Sequence, residues 1–145
     1  MQIEIINRQR KFKVNVQKLR RIARKILIYA GYPTGKLCVL LVNDSRIREF
    51  NKVYRGIDRT TDILSFSMKE GLSIGVDSAM LGDIVISLPA AKRQSFKCKK
   101  DIYSVLTELL IHGILHLLGY DHEASTYQAK KMKKKEKEIF GRIKD

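Results

Sequence analysis

The chain's three histidines, His112, His116 and His122, all fall within eleven residues that read HGILHLLGYDH. The first two stand four apart. On a helix, four residues turn about 40° past one full turn and climb about 6 Å, so both rings leave one face, close enough to share an ion. Gly119 follows three residues after His116. A glycine there can take the positive φ that ends a helix and reverses the chain, which returns His122 toward the same point. Three imidazoles on one centre suit a borderline-soft transition metal. Zinc binds imidazole nitrogen at about 2.0–2.1 Å and, with three protein ligands, keeps a fourth position for water, whose pKa falls to about 7. One Zn²⁺ per chain is expected, with Fe, Ni and Cu as the alternatives. A fourth ligand from an Asp or Glu elsewhere would instead make the site closed and structural.

The spacing H-x-x-x-H-x-x-G-x-x-H resembles that of the metzincin peptidases, H-E-x-x-H-x-x-G-x-x-H. The peptidases carry their general-base Glu directly after the first His. Here that residue is Gly113, which cannot hold a proton. The ligands match and the base is missing, which argues against peptide hydrolysis by that route. Other groups for proton transfer are Asp62, Glu108, Asp121 and Glu123. Glu108 stands one turn before His112 on the same face, where a carboxylate could equally orient the imidazole. Asp121 is equally suited to capping the turn.

The helix that must carry His112 and His116 runs from about Asp101 to Leu118. It is apolar on nearly every side, so it is expected to be central and buried. Around it, residues 2–6 read as a strand. The segment VQKLRRIARKILIYAGYP reads as a helix burying Val16, Leu19, Ile22, Ala23, Ile26 and Leu27. Residues 37–42 form a continuous apolar run, expected to be a strand buried on both faces. A helix then opens with Asp44 or Ser45 as N-cap and packs Ile47, Phe50 and Val53. RGIDRTTD is a polar loop, ILSFSM a strand, and residues 69–79 a Gly- and Ser-containing loop expected to be mobile. LGDIVISL is another strand, and a helix starts at Pro89. The last helix, from about Ala124 to Ile143, turns Met132, Ile139, Phe140 and Ile143 inward. Strands and helices mix, so the fold class is α+β (mixed α/β), one domain over residues 1–145 with about four strands.

Lys and Arg number 29 against 15 Asp and Glu, a net charge of +14. A field of that sign attracts polyanions, nucleic acid above all. The apolar fraction of 44% excludes a disordered chain. Cys38 and Cys98 form no CxxC pair, so neither a disulfide framework nor a cysteine zinc site is indicated, and both read as reduced, mostly buried thiols. The N-terminus lacks a signal-peptide pattern and no stretch is long enough to span a membrane. A cytoplasmic protein is expected.

A second stretch gathers polar groups. FNKVYRGIDRTTDILSF places Arg55, Asp58, Arg59, Thr60, Thr61 and Asp62 before a strand. A loop arginine can clamp a phosphate through two parallel N–H bonds and stabilise charge developing on it. Lys92, Arg93, Lys97, Lys99 and Lys100 cluster ahead of the histidine helix, and KKMKKKEK (130–137) adds six lysines that read as a solvated face. Arg59, Lys92 and Arg93 are the candidate substrate contacts beside Arg55. Tyr54, Tyr120 and Tyr127 are candidates for stacking on bases.

NKVYRGIDRTTDILSF, LGDIVIS and IHGILHLLGYDH, in that order, resemble the YbeY family of bacterial rRNA-maturation endoribonucleases. The likeness spans about residues 50–122; before residue 50 it is one of pattern only. Ser67 departs from the proline that many members carry after LSF. The resemblance implies a mixed β-sheet with surrounding helices and a zinc-dependent, single-strand-specific endoribonuclease. It implies action in 16S rRNA 3′-end maturation and ribosome quality control, with the small ribosomal subunit as partner. On that likeness His112, His116 and His122 are the metal ligands and Arg55 is the functional arginine. The rival readings are a zinc peptidase or other zinc hydrolase, and a non-catalytic RNA-binding ribosome-assembly module with a structural metal.

Overall fold

A computed structural model describes residues 2–68 and 80–144. The loop expected to be mobile, 69–79, lies outside the described residues. The strands are β1 (Gln2–Asn7), β2 (Lys36–Val42), β3 (Ile63–Ser67) and β4 (Met80–Ser87). The helices are α1 (Val16–Tyr29), α2 (Asp44–Arg55), α3 (Leu88–Cys98), α4 (Ile102–Leu117) and α5 (Thr126–Lys144). The strands form one mixed sheet in the order β1-β2-β4-β3. β1, β2 and β4 run parallel, and β3 pairs antiparallel with β4 as an edge, Ser65 opposite Ile84.

Period-two alternation divides the sheet between two cores. Ile3, Ile5, Leu37, Val39, Leu41, Ile84 and Ile86 point to one face, packed with Leu19, Ile26 and Leu27 of α1 and Leu106, Leu110 and Ile114 of α4. Val42, Phe66 and Val85 point to the other face, against Ile47 of α2. The prediction that 37–42 is buried on both faces is therefore corrected. Cys38 and Leu40 are only half-buried, because the second core is small and α2 covers one part of it. Each fully buried Leu or Ile contributes about 1.5–3 kcal/mol by leaving water, so the larger core, with α4 at its centre, dominates the stability. The helix expected to be central is so: Leu106, Leu110, Ile111, Ile114 and Leu115 are at most 1% exposed.

The helix ends are set by local chemistry. Asp101 caps α4, its carboxylate accepting from Tyr103 N at 3.0 Å. Ser87 caps α3, with Pro89 in its first turn. The cap of α2 is Asn43, not Asp44 or Ser45; its side chain accepts from Arg46 N at 2.9 Å. Asp44 is already helical and serves another purpose. Its carboxylate accepts from Ser87 Oγ at 2.7 Å and from both Arg93 Nη atoms at 2.8 and 3.1 Å, tying α2 to α3. Val53, expected inside, is 66% exposed. The inward positions of α2 are Ile47 and Asn51, with Phe50 half-buried beside them, while Tyr54 is 49% exposed and only lays its ring against Phe66. Of the two free thiols, Cys38 is half-buried and Cys98 is exposed, which corrects the expectation for Cys98. Among the described residues no helix is long and apolar enough to cross a membrane.

Candidate metal centre and its cleft

α4 delivers His112 and His116 from one face near its C-terminal end. The helix closes at Leu118, and Gly119 takes φ 101°. Gly119 N then donates to His116 O at 3.0 Å and Tyr120 N to Leu115 O at 3.0 Å. These bonds satisfy the last carbonyls and reverse the chain. Asp121 Oδ1 accepts from Glu123 N at 2.9 Å, so Asp121 caps the turn that presents His122. The three rings meet with centroids 4.9, 5.1 and 5.0 Å apart, and one donor atom from each lies within 4.8 Å of the others. His116 Nε2 and His122 Nδ1 are 3.1 Å apart, close to the roughly 3.3 Å that two nitrogens keep on one tetrahedral zinc. Burial, followed by the charges of His112 and His122, holds His116 below the ordinary imidazole pKa. That favours the neutral form, which is the metal-binding form. The donor set fits a transition-metal ion.

His112 Nδ1 lies 3.0 Å from Glu136 Oε2, a carboxylate supplied by α5. On its other side α4 rests on the sheet at Gly113. A Cβ there would stand 3.0 Å from Ile63 Cδ1, 3.0 Å from Ile84 Cδ1 and 3.1 Å from Ser65 Oγ. A side chain at 113 would thus be aimed at the sheet. The glycine lets the metal helix sit close against β3 and β4, a reason beyond the missing peptidase base.

The histidines form one wall of a cleft of about 560 Å³. Arg55, Thr61, Asp62, Ser65 and Glu123 also line it. Arg55 is the last residue of α2 rather than a loop residue, followed by Gly56 with φ 71°. Its Nη2 donates to the Ser65 carbonyl at 2.7 Å, and its guanidinium lies 4.9 Å from the centre of the buried Phe66 ring. Two contacts therefore hold its charge beside the histidines. Asp62 Oδ2 accepts from Gln94 Nε2 at 2.7 Å. The buried Asn51 donates to the Arg59 carbonyl at 2.9 Å and steadies the loop between.

A family model described as Endoribonuclease YbeY matches residues 4–144. The chain belongs to the YbeY endoribonuclease family. The Endoribonuclease YbeY of Geobacter metallireducens is 43% identical over 141 residues, 97% of this chain and 94% of that protein. That of Syntrophotalea carbinolica is 40% identical over 144 residues, 99% of this chain and 96% of that protein. A solution structure from Thermotoga maritima superposes with a TM-score of 0.61 at 28% identity, covering 98% of this chain and 91% of that one. The YbeY match begins at residue 4, so the likeness extends well before residue 50, where the motifs alone showed only a pattern.

Of the residues singled out from motifs and the YbeY likeness, His112, His116, His122, Arg55 and Asp62 come together at the cleft. Glu108, Arg59, Lys92 and Arg93 are not among its lining residues. Glu108 pairs with Lys100 at 2.8 Å instead of orienting His112. Arg93 is engaged by Asp44 at 2.8 Å, and Lys92 Nζ lies 5.6 Å from the Phe12 ring centre. Tyr54 packs edge-on to Phe66 with centroids 5.5 Å apart, Tyr120 packs against the larger core, and Tyr127 is 71% exposed. The residue missed by sequence reasoning is Glu136. It lies within the lysine-rich stretch read as a solvated face, yet it falls four residues after Met132 and three before Ile139, both 0% exposed. A lone acid on an inward stripe was the available signal.

Proposed function

We propose that the chain is a metal-dependent endoribonuclease that cuts single-stranded RNA in the cytoplasm, with zinc as its ion. Its substrate in this reading is the 3′ region of the 16S rRNA precursor on the small ribosomal subunit. The observation that carries the reading is the shared cleft: three imidazoles and Arg55 face one space in a chain of net charge +14. Membership of the endoribonuclease family supports the activity, and the motif resemblance supports the ion and the RNA.

A transition metal held by His112, His116 and His122 supplies Lewis acidity toward a phosphoryl oxygen. The chain's own residues do the rest. Arg55, fixed on Phe66 and on the Ser65 carbonyl, offers N–H donors to the phosphate as negative charge grows in the transition state. Asp62 is the cleft carboxylate placed to take the proton of the attacking hydroxyl, and its bond from Gln94 aims it. Glu123 is the other carboxylate on the wall. The hydroxyl of Thr61 adds a neutral partner for phosphate or ribose. Arg59 and Lys92 belong to the outer basic surface that draws in the strand.

The test uses the full chain with a labelled single-stranded RNA, with casein in parallel. The wild-type protein holds about one transition metal per chain and cuts RNA, and a chelator stops it. His116→Ala loses both metal and cutting. Arg55→Glu keeps metal and fold and slows cutting by about 10²–10³-fold, the scale of one lost transition-state donor. Metal-free protein that cuts at the wild-type rate would remove the metal from the mechanism. Chelator-sensitive casein cleavage with inert RNA would replace this reading with a peptidase.

A further inference from the structure

We infer that Glu136 is the positioning residue of the metal centre: from α5 it holds His112 in the tautomer and ring orientation that a transition-metal ion requires. The inference rests on the metal-binding part of the reading above.

A carboxylate can only accept, so the 3.0 Å contact to Glu136 Oε2 places the proton of His112 on Nδ1. The lone pair then stays on Nε2, available to an ion. The same bond fixes the rotation of the ring about its link to α4. Three observations make the contact specific. First, α5 is anchored on either side of Glu136 by Met132 and Ile139, both 0% exposed, so the carboxylate is delivered from a packed backbone. Second, Glu136 shares the wall of a small cavity with Lys133 and Lys137, yet the close contact it makes is with the imidazole of His112, at 3.0 Å. Third, the nearby acids are used otherwise. Glu138 pairs with Lys135 at 3.7 Å and Glu108 with Lys100 at 2.8 Å. Among the described residues no carboxylate comes so close to the other two histidines: His122 Nε2 is 3.8 Å from Glu123, whose side chain is 83% exposed. His112 is thus the pinned member of the triad, and His116 and His122 close on an ion that it locates.

Two substitutions in the full-length protein separate this role from a structural one. Glu136→Leu removes the acceptor and places an apolar side chain on an apolar stripe, so the metal-free fold should be retained. Glu136→Gln keeps an acceptor for Nδ1–H and loses the charge. Zn²⁺ affinity is measured by chelator competition, metal-free Tm by thermal melting, and the His112 Nδ1 proton by ¹⁵N NMR of the zinc-loaded protein. Leu should weaken zinc binding by about 10–100-fold with no fall in metal-free Tm, and Gln should lie between Leu and wild type. The Nδ1 proton should be seen in wild type and lost to exchange in Leu. Wild-type affinity in the Leu variant overturns the inference, as does a Leu variant that loses zinc only because its metal-free fold is lost. Zinc coordinated through Nδ1 of His112 also overturns it. Wild-type protein that takes up no zinc or cobalt refutes the metal reading underneath.

Discussion

Gly113 offers the sharpest test of how the fold sets the site. Consider Gly113→Ala. In a helix interior the change alone gains about 1 kcal/mol. Against it, the new methyl stands 3.0 Å from Cδ1 of Ile63 and of Ile84, and Ile84 is 0% exposed. Contacts of 3.0 Å are tighter than almost all that real Cβ atoms make, so the neighbours must give by a few tenths of an ångström. Overpacking of this kind costs about 1–3 kcal/mol. The net loss is about 0–2 kcal/mol, or up to about 6 °C in Tm at about 3 °C per kcal/mol. The relief available is for α4 to step away from β3. α4 carries His112 and His116, while β3 carries the Ser65 carbonyl that holds Arg55, so the two halves of the cleft part. A 1 Å misplacement of reacting groups can cost about 10²-fold in rate. Cutting of single-stranded RNA should therefore fall by more than zinc affinity does. Melting with chelator, zinc competition and an RNA cleavage assay measure the three quantities. A Tm raised by the full helix-propensity gain, with cutting unchanged, would show that there is room at 113 and refute the packing argument. Gly113→Glu extends the test: its carboxylate would be aimed at the sheet, so casein should stay intact despite the restored peptidase pattern.

The cysteines should react very differently with a thiol reagent. Burial, with Asp83 nearby, pushes the Cys38 thiol up to about 11, which leaves about one thiolate in ten thousand at pH 7. The exposed Cys98 should be labelled first by Ellman's reagent, and Cys38 only as the protein unfolds or the pH rises; equal rates would contradict the burial. The Arg93 guanidinium beside Asp44, more than the Ser87 hydroxyl, holds the Asp44 carboxyl below its ordinary value. A depressed folded pKa stabilises above the unfolded value near pH 4 and is lost as pH falls through the folded one. Asp44→Asn should therefore melt earlier than wild type at pH 7, with a gap that narrows below about pH 4. A gap independent of pH in acid melts would assign Asp44 a purely neutral role.

What could be read from the residues alone was local. The His112–His116 spacing, the Gly119 reversal and the apolar girth of α4 each depend on neighbours within a turn or two, and the structure brings the triad together accordingly. The apolar stripe of α2 ended sooner than its periodicity suggested: Ile47 is buried and Phe50 half-buried, but Val53 is 66% and Tyr54 49% exposed, because the second core is small. The cap of α2 went to Asn43 because Asp44 has distant partners, Ser87 and Arg93, that no local rule supplies. Glu108 was a fair guess for the partner of His112 by helical geometry, but Lys100 claims it. The carboxylate that does reach His112 comes from 24 residues downstream and is placed by the packing of Met132 and Ile139. Tertiary contacts of that kind leave only a faint mark, here one acid on an apolar row.

β3 is the outer strand of its sheet, and an outer strand exposes carbonyls on which a strand from another molecule can assemble. One of these, at Ser65, is occupied by the guanidinium of Arg55. The same side chain that faces the cleft therefore also covers one carbonyl of the sheet edge. Losing it would strip the cleft of a cation and leave a template for intermolecular pairing. A substitution at Arg55 would thus touch the charge of the cleft and the edge of the sheet at once.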